Sequence, residues 1–287
     1  MIAVLKKELN SYFKSMTGYI FMAFFLVIIG IYFIVYNLSY GTSNFEYTLQ
    51  SSSFAFIILI PILTMRILAE EKKQKTDQLL LTSPLSIEKI ILGKYLAVLM
   101  VFLGTMAIAS FYPLILTGFG EVDLKLAYNG ILGFVLMGAT YLAIGLFISA
   151  LTESQMVAAI IGFIVMLITY LISGLSTLLP ADHKSAVIIF TLFILIICWI
   201  AYHMMHNLTV TISVGLISEV ILIFIYFKKS FLLDGAVSKL LNSFSMVNHF
   251  DRFTMGILDL SAVVYYVSVT FLFVFLTIQS LKKRRWS

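Results

Sequence analysis

Side chains able to do chemistry are sparse in this chain, and they fall in four places. Glu219 interrupts the apolar run Ile212–Phe227, about 12 Å from its end if the run is helical. A carboxyl at that depth in an apolar segment faces a bundle interior, a partner or water, and two readings follow. It is either a hydrogen-bonded structural group or the contact for a proton, an ion or a cationic substrate. His203 and His206, with two methionines between them, share a helix face and have soft neighbours, as a metal site would. Two histidines do not close a site that needs three or four ligands, and interfacial histidines at a helix turn are ordinary. Arg66 stands one turn before Glu70 and Glu71, where it can pair along the helix or extend its head toward water. Gly93-Lys94 looks like the end of a phosphate loop, but Tyr95 follows it and the upstream glycine is missing. No hydrolytic triad or metalloprotease spacing stands out, so the chain is not expected to be an enzyme by itself.

The elements that must position these groups are membrane helices. Of 287 residues, 61% are hydrophobic and 11% are charged. Soluble domains carry roughly 25% charged residues, so an integral membrane protein is close to forced. The apolar runs are continuous rather than alternating, which favours helices of about 20 residues over a barrel. The formal charge of +5 comes from lysines and arginines near the N-terminus, at 72–94 and at 282–285. That distribution is a topology signal before it is a nucleic-acid site, and it puts both termini on the cytoplasmic side. The single cysteine, Cys198, permits no intrachain disulfide. No cleavable signal peptide is evident, because charge reaches Lys14 and the first apolar run continues to Leu38.

Residues 1–16 predict an interfacial helix whose face of Leu5, Leu9, Tyr12, Phe13 and Met16 lies in lipid. Spans are expected at 18–38, 54–69, 95–117, 126–151 and 155–179, then at 186–202, 208–227 and 262–280. The count is eight, or a six-helix core if 186–227 is a shallower hairpin. In the fourth span Gly130, Gly133, Gly138 and Gly145 would let another helix approach closely. The segment 228–260 reads as an outer-surface element, with Phe244, Phe250 and Phe253 dipping into the interface. Charge is most concentrated between the second and third spans, over 70–94. There Glu70, Glu71 and Thr76 precede an apolar patch of Leu79, Leu80 and Leu81. A charged, partly helical bridge between two spans suits contact with a water-soluble partner.

The run Pro61-Ile-Leu-Thr-Met-Arg66, with Glu70-Glu71, Thr76-Asp-Gln-Leu79 and Leu92-Gly-Lys-Tyr95, resembles the region after the second helix in ABC-2-type transporter permeases. The tail, through Phe250-Asp-Arg-Phe253, Gly256-Ile-Leu-Asp259 and the closing Lys-Lys-Arg-Arg-Trp286, is similar to their gliding-motility and nitrous-oxide-reductase-maturation branch. The resemblance implies an all-α polytopic permease of the bacterial cytoplasmic membrane, with an N-terminal interfacial helix, a six-helix core and a coupling helix on the bridge. It also implies a separate ATPase that binds ATP and magnesium, and assembly with a second permease, identical or related. No cofactor is expected in this chain. Two other functions stay open: a secondary transporter working through Glu219, and a non-transporting anchor for a motility or assembly machine.

Overall fold

The computed structural model describes residues 1–76, 85–178, 182–205, 208–228, 231 and 233–286. They form fourteen α-helices and one π-helical segment, with no strand among the described residues. In chain order the helices are α1 Ile2–Lys14, α2 Thr17–Tyr32, α3 Phe45–Ser52, α4 Ala55–Thr64 and α5 Ala69–Lys73. Next come α6 Ile87–Ala109, α7 Tyr112–Leu116, α8 Leu124–Leu151, α9 Gln155–Leu178 and α10 His183–Met205. The last four are α11 Leu208–Lys228, α12 Ala236–Phe244, α13 Met246–Thr254 and α14 Leu260–Trp286. The π-helical segment, Phe33–Ser39, continues α2.

Among the described residues five helices are long and apolar enough to cross a membrane: Thr17–Ser39, Ile87–Leu116, Leu124–Leu151, Gln155–Ser176 and Leu260–Arg284. A sixth is made by α3 with 55–73, joined at a bend of 57°. The chain is therefore an all-α polytopic bundle. The two runs that would raise the count to eight are α10 and α11, 23 and 21 residues long, and some of their side chains lie outside the described residues. The chain divides into two compact units, Met1–Tyr170 with His249–Ser287, and Leu171–Asn248.

In the first unit α8 is the central helix, packed most extensively on α14 and also on α3, α4 and α6. It starts cleanly because Asp123 caps it, accepting hydrogen bonds from the amides of Lys125 and Leu126 at 3.0 and 3.2 Å. Its buried face meets a cluster of rings, with Phe56 4.6 Å from Phe134 and 5.8 Å from Phe102, centroid to centroid. The glycines expected to admit another helix are spent inside this unit. A Cβ on Gly138 would stand 2.4 Å from the Phe102 ring, and one on Gly145 2.3 Å from Thr64 Oγ1. We expect Gly145→Ala to cost about 1–3 kcal/mol by overpacking, read as a lower melting temperature of the purified protein. Gly120→Ala, where nothing stands within 4 Å, should leave it unchanged.

Three further elements carry detail that the sequence reading lacked. The buried stripe of α1 is Val4, Glu8 and Tyr12, while Phe13 and Met16 are exposed. Tyr12, expected in lipid, is buried in the protein instead, and on the same face a carboxylate, Glu8, is buried with it. The polar stretch 41–53 is largely helical: α3 buries Glu46, Thr48, Leu49 and Ser52. In the segment 228–260, Phe250 and Phe253 are fully buried and Phe244 is exposed.

In the second unit α10 packs on α11, and Ala186, Leu233 and Val237 form a small core with Phe190 and Tyr226 against it. His183 Nδ1 lies 3.3 Å from Asp234 Oδ1, and the Ser238 hydroxyl donates to the Ser176 carbonyl at 3.0 Å.

Candidate functional site

The helix that carries Arg66 and Glu70 does not run unbroken from the bilayer into the bridge. It ends as α4 at Thr64, unwinds over Met65–Leu68 and restarts as α5 at Ala69. Unwinding strands backbone groups, which must find partners or be left unsatisfied inside protein. Three other helices supply them. The Tyr12 hydroxyl of α1 donates to the Leu63 carbonyl at 3.1 Å, and Lys94 of α6 donates to the Ile67 carbonyl at 3.2 Å. Ser149 of α8 accepts from the amides of Leu68 and Ala69 and donates to the Met65 carbonyl, each at 3.1 Å. The joint is thus irregular backbone held by specific side chains rather than a loose turn.

Lys94 is the centre of this arrangement. Its side chain is 0% exposed. Besides the Ile67 carbonyl, its ammonium donates to Glu8 Oε1 at 2.9 Å and Glu71 Oε1 at 2.8 Å. All three of its hydrogens therefore have acceptors, from α1, the joint and α5. Lys7 adds a second, exposed cation 3.4 Å from Glu71 Oε1. Gly93, next in sequence, brings α1 close enough for this: a Cβ there would stand 3.1 Å from the Met1 carbonyl oxygen. Burial pushes the Tyr12 phenol well above its usual range, and the Glu8 carboxylate pushes it further, so Tyr12 acts as a donor throughout the physiological range.

Helix α5 is fixed at both ends. Lys72 is buried and donates to the Ala150 carbonyl, at the C-terminal end of α8, where a cation also meets the helix dipole. Lys75 adopts a left-handed conformation, φ 57°, and the Thr76 amide donates back to the Glu71 carbonyl at 3.0 Å. That is the geometry that closes a helix C-terminus. Arg66 Nε lies 3.1 Å from Glu70 Oε2, one turn along, and both side chains are partly exposed. Between α1 and α5 lies a polar cleft of about 440 Å³, lined among others by Ser11, Ser15, Arg66, Glu70, Gln74 and Thr76. The basic tail returns to the same end, with Lys282 on Glu88 and Arg284 on Glu153.

The structure therefore brings together Arg66, Glu70, Glu71 and Thr76. Leu79, Leu80 and Leu81 lie outside the described residues. Glu219 is elsewhere, in the second unit, half-buried on α11, and accepts a hydrogen bond from the Thr191 hydroxyl of α10 at 2.7 Å. His206 lies outside the described residues, as does the His203 side chain. Among the described residues no group of three or more His, Cys, Asp or Glu is gathered as a metal would require. Sequence reasoning missed Glu8, Tyr12, Lys72, Lys94 and Ser149 as parts of the site. A usable signal was present in Lys94, a lysine inside an apolar helix, which needs a buried acid within reach.

The profile of the family described as ABC-2 family transporter protein matches residues 31–227, more than half of the chain, and the chain belongs to that family. It is accordingly the non-catalytic, membrane-spanning permease component of an ABC transporter, a role that implies an ABC ATPase as partner. The match takes in the 186–227 hairpin, and the tail motif at 250–285 lies beyond it. No curated protein matches the chain.

Proposed function

We propose that this chain is the permease subunit of an ATP-driven exporter of the bacterial cytoplasmic membrane, with both termini in the cytoplasm. It would work as a dimer with itself or a related permease, surrounded by lipid. On this reading the ATP-binding subunits hold ATP and magnesium and dock on the bridge, through Glu70, Glu71, Thr76 and the patch Leu79–Leu81. The observation that supports it best is the joint at Met65–Leu68. On this reading a push on α5 is passed on there, because the freed backbone is bonded to α1, α6 and α8. Closure of the ATPases would move those helices together and change access to a cavity between two permeases. Such a change requires the ATP-bound state to favour one access state over the other. The tail motif supports placing the chain in the gliding-motility and nitrous-oxide-reductase-maturation branch.

The test is transport by the reconstituted complex with the ion gradient dissipated. Flux that follows ATP supports the proposal, and flux that follows the gradient and ignores ATP overturns it. Glu219→Gln belongs in the same assay. Thr191 already supplies Glu219 with a donor, and an amide preserves shape and can accept the same bond. Most of the flux should therefore survive the change. Loss of flux in a well-assembled complex would instead assign Glu219 to a proton, an ion or a cationic substrate.

A further inference from the structure

Near the N-terminal end of α8 a second polar junction forms, remote in sequence from the bridge. Glu46, on the first turn of α3, is 2% exposed. Helix α8 covers it at Gly130, where a Cβ would stand 3.3 Å from Glu46 Cγ. Its Oε2 is buried and has no hydrogen-bond partner among the described residues, and no lysine or arginine among them pairs with it. On the adjacent residue of α8, Asn129 donates through Nδ2 to the Phe253 carbonyl at 2.9 Å, while its Oδ1 is buried without a partner among the described residues. One turn beyond Glu46, Gln50 donates to Asp251 Oδ1 of α13 at 2.8 Å.

Helices α3, α8 and α13 therefore meet at a junction with more oxygens than hydrogens. The ionisable groups around it do not correct the deficit. Asp123 at the head of α8 and Asp251 on α13 are acids. Tyr112 of α7 stacks beside Phe45, 6.2 Å between centroids, and His249 of α13 stacks on Tyr265. Arg252 of α13 is bound to Asp259, Lys125 of α8 is exposed, and Tyr36 and Tyr40 of the π-helical segment and its end lie against one another with their rings tilted by 45°. A carboxylate buried without a cation costs several kcal/mol, more than the carboxylic acid costs at the same place.

We propose that Glu46 is a proton-binding site, and that α3 is latched against α8 while the carboxyl carries its proton and released when it ionises. The ligand is a single proton, exchanged with solvent at that end of the first unit. No other reactant is needed, and the proposal is independent of how the bridge is driven. The sign follows directly: the latch is complete at low pH and is lost as pH rises through the titration of Glu46.

The test is hydrogen–deuterium exchange of the full-length protein in nanodiscs, corrected for intrinsic rates, from about pH 5 to about pH 9, a range in which buried carboxyls titrate. Amides of residues 45–52 should lose protection as pH rises, by up to about tenfold per pH unit, the limit for one proton. Glu46→Gln should keep those amides protected across the range, and Asp251→Asn should leave the wild-type profile in place. A flat wild-type profile overturns the proposal. So does a pH-dependent profile that persists in Glu46→Gln or disappears in Asp251→Asn. If Glu46→Gln does not assemble, the wild-type and Asp251→Asn profiles decide by the same criteria.

Discussion

Lys94→Met is expected to destabilise the permease by about 3–5 kcal/mol, the usual loss when one member of a buried ion pair is removed. Methionine fills much of the space of the lysine stem but supplies no hydrogens. Glu8 and Glu71, with side chains 11% and 15% exposed, would then face one another without the ammonium between them, and the Ile67 carbonyl would lose its donor. The triple change Lys94→Met, Glu8→Gln, Glu71→Gln should recover part of the loss, because it removes the stranded charges along with their partner. Thermal unfolding in detergent, compared across the single and triple variants, checks both statements. Equal melting temperatures for Lys94→Met and wild type would mean that the triad does not hold the joint.

The second large effect is functional. Glu70→Lys combined with Leu80→Asp and Leu81→Asp should abolish association with the ATP-binding subunit, leaving the membrane bundle folded. Buried apolar surface contributes ~25 cal/mol per Å², so losing two leucines from an interface and adding two charges removes most of a modest docking energy. Glu70 is paired only at the surface, with Arg66, so its reversal should cost the permease itself about 1 kcal/mol at most. Pull-down of the ATPase and its stimulation by the permease are the measurements. A variant that stays in the membrane, binds the ATPase and stimulates it fully would sever the bridge from coupling.

The helical bundle was legible because continuous apolar runs of membrane length have one economical solution, and the bridge drew notice because charge is scarce elsewhere. The pairing of Arg66 with Glu70 was readable from a four-residue spacing on one helix. The joint was not readable, because its partners arrive from elements far apart in sequence. Glu8 carried no mark of its own in an amphipathic helix, and Lys94 drew notice only as the end of the bridge and of an incomplete phosphate-loop match. Only their burial against one another makes them a site. The glycines of α8 carried a real signal of close approach, but sequence could not say that the approaching groups would be Phe102 and Thr64 of the same chain. Glu46 was hidden for a related reason. It sits in a polar connection between two expected spans, and it is buried because α3 packs on α8.

Site-specific photo-crosslinking tests most directly whether the bridge is the surface that meets the ATP-binding subunit. A photoreactive residue would be placed at Lys75, exposed at the end of α5, and for comparison at Tyr47, exposed on α3. Irradiation of the assembled complex in native membranes should join the ATP-binding subunit to the chain from position 75 and not from position 47. Absence of that subunit from the position-75 adduct, or equal capture from position 47, would contradict the assignment.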